Sequence, residues 1–491
     1  MRAPVLPHRA NLALAPALAL LLAAAPVRAA VPLDRTVVPK PGPAPAFRVP
    51  AWTRAKLANG AELVVVQKRD LPLVAVTITF VGGSSTYEPD GKQGLASLTA
   101  QMLSEGTATQ TADQLSEAQQ LLGTRIAVSI AGESGSIGFT SLTNKMEPSL
   151  ALLVDMLLHP AFPAPALERL RGRTLVALKQ AKDSPNSIAS DVFARVVYGD
   201  AHPYGRITTE ASVQSVNRDD VVAFHAAYFR PGRAVITVAG DVEPAAIKAV
   251  FEKALAAWPA GGEKPTWNYP PAPPPSATVI ELVDKPGAAQ SVFAIGQPGP
   301  PRSTPDFYAL QLMNTLLGGL FQSRLNHEIR EVKGWSYGVR SAFDYGHGPG
   351  AFKAGGGIVT AKTDSALVEF LHQLRGVRGD VAFTADEMEQ GKASLVQSLP
   401  ERFSSVSGIS TALAALTTQD LPESYYSDFP AKVNALTAAD LVRVAKAHLD
   451  LDHLHIVIVG DRSVIEAPLA ATGVAPILVL DNEGRPAPPT K

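Results

Sequence analysis

Two stretches of the sequence carry residue types able to do chemistry. The first runs Gly318-Gly319-Leu320-Phe321-Gln322-Ser323-Arg324-Leu325-Asn326-His327-Glu328-Ile329-Arg330-Glu331-Val332-Lys333-Gly334-Trp335-Ser336-Tyr337-Gly338. In it Arg330 stands seven residues before Tyr337. Arginine offers a fixed fork of donors to carbonyls or carboxylates, and a phenol donates one directed bond. The plainer reading makes Arg330 a surface helix residue paired with Glu331 or Asp344, and Tyr337 a half-buried strand residue. Gly334-Trp335-Ser336-Tyr337-Gly338 also matches the Gly-x-Ser-x-Gly elbow of serine hydrolases. That elbow needs a strand before the serine and a helix after it. Here a helical stretch, Ser323–Val332, precedes and a strand, Tyr337–Phe343, follows, so the order is reversed. The second stretch holds His448, His453 and His455 with Asp450 and Asp452. His453 and His455 share one strand face. A polar turn at a helix-to-strand joint explains them better than a metal cluster, because no carboxylate general base is placed beside them.

The elements that must position these groups come in two similar sets. The chain has 491 residues, 46% of them apolar, enough for more than one buried core. A net charge of −1 gives no sign of a nucleic-acid surface. With no cysteine, disulfides, zinc–thiolate sites, thiol catalysis and a lipid-bearing cysteine are excluded. Residues 1–30 read as a signal peptide: Arg2 and Arg9 flank the apolar run Leu12 to Ala25, and Val27-Arg28-Ala29 is a small-residue cleavage site. An uncleaved membrane anchor is the alternative. Residues 31–50 are Pro-rich and extended, and a second Pro-rich stretch, 265–276, reads as a linker between domains 51–264 and 277–466, with a tail at 467–491.

The two domains begin and end alike. Leu73 to Val81 and Ser291 to Gly296 read as strands, each leading by a loop to a helix, Gln93–Glu105 or Asp306–Leu317. Ala234 to Asp241 and His455 to Asp461 are β-branched runs closed by Gly-Asp, each after a helical stretch. Long helices fill the middles: Ala164–Lys182 and Ile188–Val197, then Leu367–Gly376 and Ala385–Leu399. The fold class is α+β, with two homologous domains of antiparallel-rich sheet and long helices.

Gly94-Leu95-Ala96-Ser97-Leu98-Thr99-Ala100-Gln101-Met102-Leu103-Ser104-Glu105-Gly106-Thr107 resembles the zinc-binding helix of the pitrilysin/insulinase-like (inverzincin) metallopeptidases. In that family the helix after Gly-Leu-Ala carries His-x-x-Glu-His, then Met-Leu and Gly-Thr. Here Ser97 stands at the first histidine, Ala100 at the glutamate and Gln101 at the second histidine. Zinc wants imidazole, thiolate or carboxylate, and its bound water needs a base. The family's third ligand is a glutamate on a later helix, and the corresponding stretch, Leu175 to Lys182, contains no glutamate. The frame is kept and the ligands are missing; the bland alternative is an ordinary amphipathic helix ending in a glycine.

The Gly318–Gly338 stretch resembles the same family's C-terminal signature, and the carried-over pair is Arg330 and Tyr337. The resemblance spans about residues 50–465. It implies a half-clamshell of two domains in which Arg330 and Tyr337 bind the substrate backbone and stabilise the reacting carbonyl. It implies a non-catalytic subunit with no cofactor of its own. The zinc is expected in a pitrilysin-like partner subunit, in a heterodimer that hydrolyses peptides. No nucleic-acid partner and no membrane span after signal cleavage are expected, and the location is periplasmic or secreted. The alternative is a non-catalytic scaffold or peptide-binding protein of the same fold.

Overall fold

The computed structural model describes residues 48–487. The segment read as a signal peptide lies outside the described residues, as does most of the Pro-rich lead-in. The strands are β1 (Thr53–Lys56), β2 (Glu62–Gln67), β3 (Leu73–Val81), β4 (Ala127–Ala131), β5 (Ser134–Leu142) and β6 (Ala234–Gly240) in the first half. The second half supplies β7 (Val279–Asp284), β8 (Gln290–Gly299), β9 (Ser336–Asp344), β10 (Gly350–Val359), β11 (His455–Gly460) and β12 (Ile477–Leu480).

They build two six-stranded sheets on nearly one plan, β1-β2-β6-β3-β5-β4 and β12-β7-β11-β8-β10-β9. Within each, the strand pairs β2/β6 and β7/β11 are parallel and the next three contacts are antiparallel. The outermost strands differ. β1 is the antiparallel hairpin partner of β2, whereas β12 arrives from the end of the chain and lies parallel to β7. The boundary read from the sequence at residue 466 therefore falls too early. The chain continues through the helix Arg462–Ala471 into a strand of the second sheet, so part of the expected tail is sheet.

Most central strand residues are buried on both faces, which explains why β2, β6 and β11 read as continuous apolar runs. One face of the first sheet, with Val74, Val76, Ile78 and Phe80, packs on helices of its own half. The other face, with Val64, Val66, Ala75, Val235 and Ala239, packs on Ile409, Leu413 and Leu416 of the helix Val406–Thr418 from the second half. The exchange is reciprocal. Val283, Val292, Val457 and Val459 of the second sheet are covered by Ile188, Val192 and Phe193 of the helix Pro185–Tyr198 from the first half. Fully burying each such side chain contributes about 1.5–3 kcal/mol, so each half closes the core of the other.

The Pro-rich linker is held down across this seam. Trp267 stacks on His347 with ring centroids 3.8 Å apart, and Tyr269 packs on Tyr204 and His202.

Candidate functional site

The helix that resembles the zinc helix runs Leu95–Met102, shorter than the expected Gln93–Glu105. Gly94 sits at φ 101°, a left-handed conformation that favours glycine, and its own side chain can cap nothing. Glu88 does that work: its Oε1 accepts from Gly94 N–H at 2.9 Å and Ala96 N–H at 2.8 Å. Burial raises the Glu88 carboxyl, against the lowering effect of those two bonds. Beyond Met102 the chain turns, and Glu105 is drawn to Arg169 of the helix Ala164–Ala181.

Ser97 and Gln101 are exposed on one face of the short helix, one turn apart, while Ala100 is buried at 3% exposure. Gln101 Nε2 donates to Ser97 Oγ at 3.3 Å and to Ser97 O at 3.3 Å. The stretch Leu175 to Lys182 lies on the helix Ala164–Ala181, which packs beside it. There Leu175 and Leu178 lean on the apolar core, and Lys182 pairs with Glu210 and Glu483. A zinc ion does not fit this donor set. It comprises a hydroxyl and an amide bonded to each other, a buried methyl, and no carboxylate. Among the described residues no group of three or more His, Asp or Glu side chains is placed to hold a metal.

The Arg330–Tyr337 segment is built differently. The helix Phe307–Asn314 runs into a wide turn, Thr315–Gly319, that lies against β9. A Cβ at Gly318 would meet Ser341 N and Oγ at 2.4 Å, so only glycine allows this approach. Arg330 follows on a second wide turn, His327–Val332. Its guanidinium lies 4.5 Å from the centroid of the Phe321 ring, and its Nε is 3.1 Å from Glu331. The expected surface pair with Glu331 is present, and no pair with Asp344 forms.

Tyr337 is 89% exposed, and its hydroxyl has no hydrogen-bond partner among the described residues. Strand alternation alone would bury it, because Val339, Ser341 and Phe343 of β9 all face inward. The register explains the reversal. Val339 pairs with Gly356 and Ser336 with Ile358, so Tyr337 and Gly338 together oppose Gly357. This β-bulge adds one residue to β9 and turns Tyr337 outward. Ser336 Oγ stabilises it, donating to Gly357 O at 2.6 Å and accepting from Gly338 N–H at 3.0 Å. The serine of the Gly-x-Ser-x-Gly match is thus a backbone clamp, and Tyr337 is solvent-facing, not half-buried as the plainer reading has it.

The histidines do not converge. His448 meets Asp306 at 2.8 Å, His453 meets Asp450 at 2.7 Å, and His455 meets Glu281 at 2.8 Å. His202 is fully buried, with Nδ1 accepting from Tyr204 N–H at 3.0 Å, a turn-shaping role.

A polar cluster at the seam has no motif in the sequence. His347, in the β9–β10 turn, has Nδ1 2.8 Å from Glu133 Oε2 and Nε2 3.2 Å from Asp420 Oδ2. Glu133 also accepts from the His347 N–H at 2.9 Å and from the Tyr204 hydroxyl. Burial pushes the Glu133 carboxyl up, but the bonds from the His347 ring, the Tyr204 hydroxyl and the His347 N–H outweigh it and hold the group at about 2. Tyr198, Tyr204, Arg302 and Tyr345 line the adjoining cleft of about 450 Å³.

Fold and site together describe a two-sheet α+β protein in which the helix resembling a zinc helix carries no metal-ligating side chains at Ser97, Ala100 and Gln101. Residues 63–207 match the family described as Insulinase (Peptidase family M16), and residues 215–395 match Peptidase M16 inactive domain. The chain belongs to peptidase family M16. It is similar to an uncharacterized zinc protease, YmxG, of Bacillus subtilis, 24% identical over 79% of this chain and 92% of that one. It is also similar to a protein named non-peptidase homolog YmxG in Helicobacter pylori, 24% identical over 82% of this chain and 93% of that one. The crystal structure of a peptidase M16 inactive domain from Pseudomonas fluorescens superimposes with a TM-score of 0.77 at 27% identity, covering 83% of this chain and 98% of that one. A Helicobacter pylori protease structure shares the fold, with a TM-score of 0.78 at 19% identity over 84% of this chain and all of that one.

Proposed function

We propose that this chain is the zinc-free subunit of an exported peptidase, in which Arg330 and Tyr337 bind peptide at an active site whose zinc belongs to a partner chain. The observation that carries the reading is a contrast. The ligand positions are closed by Ser97, Ala100 and Gln101, while a bulge in β9 turns Tyr337 outward with no partner for its hydroxyl among the described residues. A guanidinium and a phenol facing solvent can donate to a peptide carbonyl, and donors aimed at a developing oxyanion act mainly on the rate of the chemical step. Export rests on Arg2, Arg9 and the apolar run Leu12 to Ala25; N-terminal sequencing of the mature protein, expected to start near Ala30, tests that part.

The test of the main reading is capture of the partner with a tagged copy of the chain, followed by assay of the complex. Arg330→Ala or Tyr337→Phe is expected to lower kcat/KM by ~10²–10³, with assembly intact. Unchanged activity in both variants removes the shared-site reading. A non-catalytic scaffold or peptide-binding protein of this fold would then be the better account; the Helicobacter pylori relative is itself named a non-peptidase homolog.

A further inference from the structure

Arg330 and Tyr337 sit on different elements, a wide helical turn and an edge strand, so something must set one relative to the other. Among the described residues the Arg330 guanidinium has an ion pair and a ring contact. The pair with Glu331 is between neighbours at the surface, where such pairs contribute little. The other is the Phe321 ring, itself half exposed. Phe321 lies in the loop after Gly319, where the buried Ser323 Oγ donates to the Leu320 carbonyl at 2.6 Å and a second buried side chain holds Phe321 itself. Asn326 is 4% exposed, and its Nδ2 donates to the Phe321 carbonyl at 2.7 Å. Its Oδ1 accepts from the Val339 N–H at 3.1 Å. Val339 is the first residue past the bulge that turns Tyr337 outward, and a Cβ at Gly338 in the bulge would meet the same Oδ1 at 3.5 Å.

We propose that Asn326 is a positioning residue: one amide joins the loop whose Phe321 holds Arg330 to the strand whose bulge presents Tyr337. The inference rests on the reading of Arg330 and Tyr337 as peptide-binding groups. Asparagine suits the place because a single planar side chain carries both a donor and an acceptor. An apolar residue of like size would fill the space and leave the Val339 N–H and the Phe321 carbonyl without partners.

The test has a structural readout and an activity readout. The full chain is labelled with fluorotyrosine, and Tyr337→Phe identifies the Tyr337 signal by fluorine NMR. Activity is read on a quenched-fluorescent peptide library with the complex that a tagged copy of the chain captures. Asn326→Asp keeps size and acceptor and drops the donor to Phe321; Asn326→Leu drops both. Both are expected to shift or split the Tyr337 signal well below the melting temperature. Both are expected to lower kcat/KM about tenfold or more, since small misplacements of binding groups are costly. In the Arg330→Ala/Tyr337→Phe background they are expected to add nothing further. A lower melting temperature with an unmoved Tyr337 signal and fully additive losses would mean that Asn326 only stabilises the fold, and overturns the proposal. If Arg330→Ala and Tyr337→Phe are themselves silent, the peptide-binding reading fails separately, and the fluorine signal still decides what Asn326 does. Whichever Asn326 variant folds decides. Where neither does, Phe321→Ala at its half-exposed ring must lower kcat/KM, and an unchanged value overturns the proposal.

Discussion

Gln101 Nε2 donates to Ser97 Oγ at 3.3 Å, so the two positions that would face a metal from this helix are bonded to each other. The third corner is closed as well. Ala100 is in the core, and the facing helix offers Leu175, Leu178 and Lys182, each engaged elsewhere. After dialysis the purified chain is expected to hold no stoichiometric zinc and to cleave no peptide by itself. Ser97→His with Gln101→His is expected not to create a tight site, because two imidazoles still lack a third ligand. Metal analysis and a peptide-cleavage assay check this; one zinc held per wild-type chain would overturn it.

Tyr337 can be altered without touching the core. Its side chain is 89% exposed and its hydroxyl has no partner among the described residues. Tyr337→Phe is therefore expected to leave the melting temperature of the isolated chain unchanged, within about 0.5 kcal/mol of stability. Thermal melting beside the activity assay separates the two roles. A large loss of stability would place the hydroxyl in the fold rather than at a binding surface.

Glu133 makes the seam sensitive to acid. Its carboxyl is held at about 2, below the ordinary 4.5, by the His347 ring, the Tyr204 hydroxyl and the His347 N–H acting against burial. A carboxyl depressed on folding contributes stability that is complete above the ordinary value and is lost as pH falls toward the folded one. The window here is about pH 4.5 down to 2. Glu133→Gln is expected to lower stability near neutrality and to flatten the acid limb of melting temperature against pH. Parallel limbs for wild type and variant would rule the cluster out as a stabilising contact.

The exchanged helices predict that neither half stands alone. Residues 48–264 lack the helix Val406–Thr418 that covers Val64, Val66 and Val235, and are expected to aggregate when expressed alone. Leu413→Ala, a cavity made in a helix of the second half, is expected to cost about 2–5 kcal/mol. Hydrogen exchange should show it loosening the amides of β2 and β6 in the first half. Protection lost only in the second sheet would contradict the exchange.

Much of this was legible in the sequence because it depends on near neighbours. Apolar runs closed by Gly-Asp marked β6 and β11, the helices read over Ala164–Lys182 and Ile188–Val197 stand at Ala164–Ala181 and Pro185–Tyr198, and the family resemblance around Ser97, Ala100 and Gln101 implied a helix without metal ligands. The strand and helix patterns are ones that local backbone geometry imposes on a few consecutive residues. What only the tertiary structure decided depends on residues far apart in the chain. The outward turn of Tyr337 runs against its own alternation and follows from register with Gly356 and Ile358. Asn326, Glu133 and His347 have no spacing that marks them, because their partners lie on other strands or in the other half. The helices that cover each sheet come from the opposite half, and amphipathic periodicity reports that a face is buried without reporting what buries it.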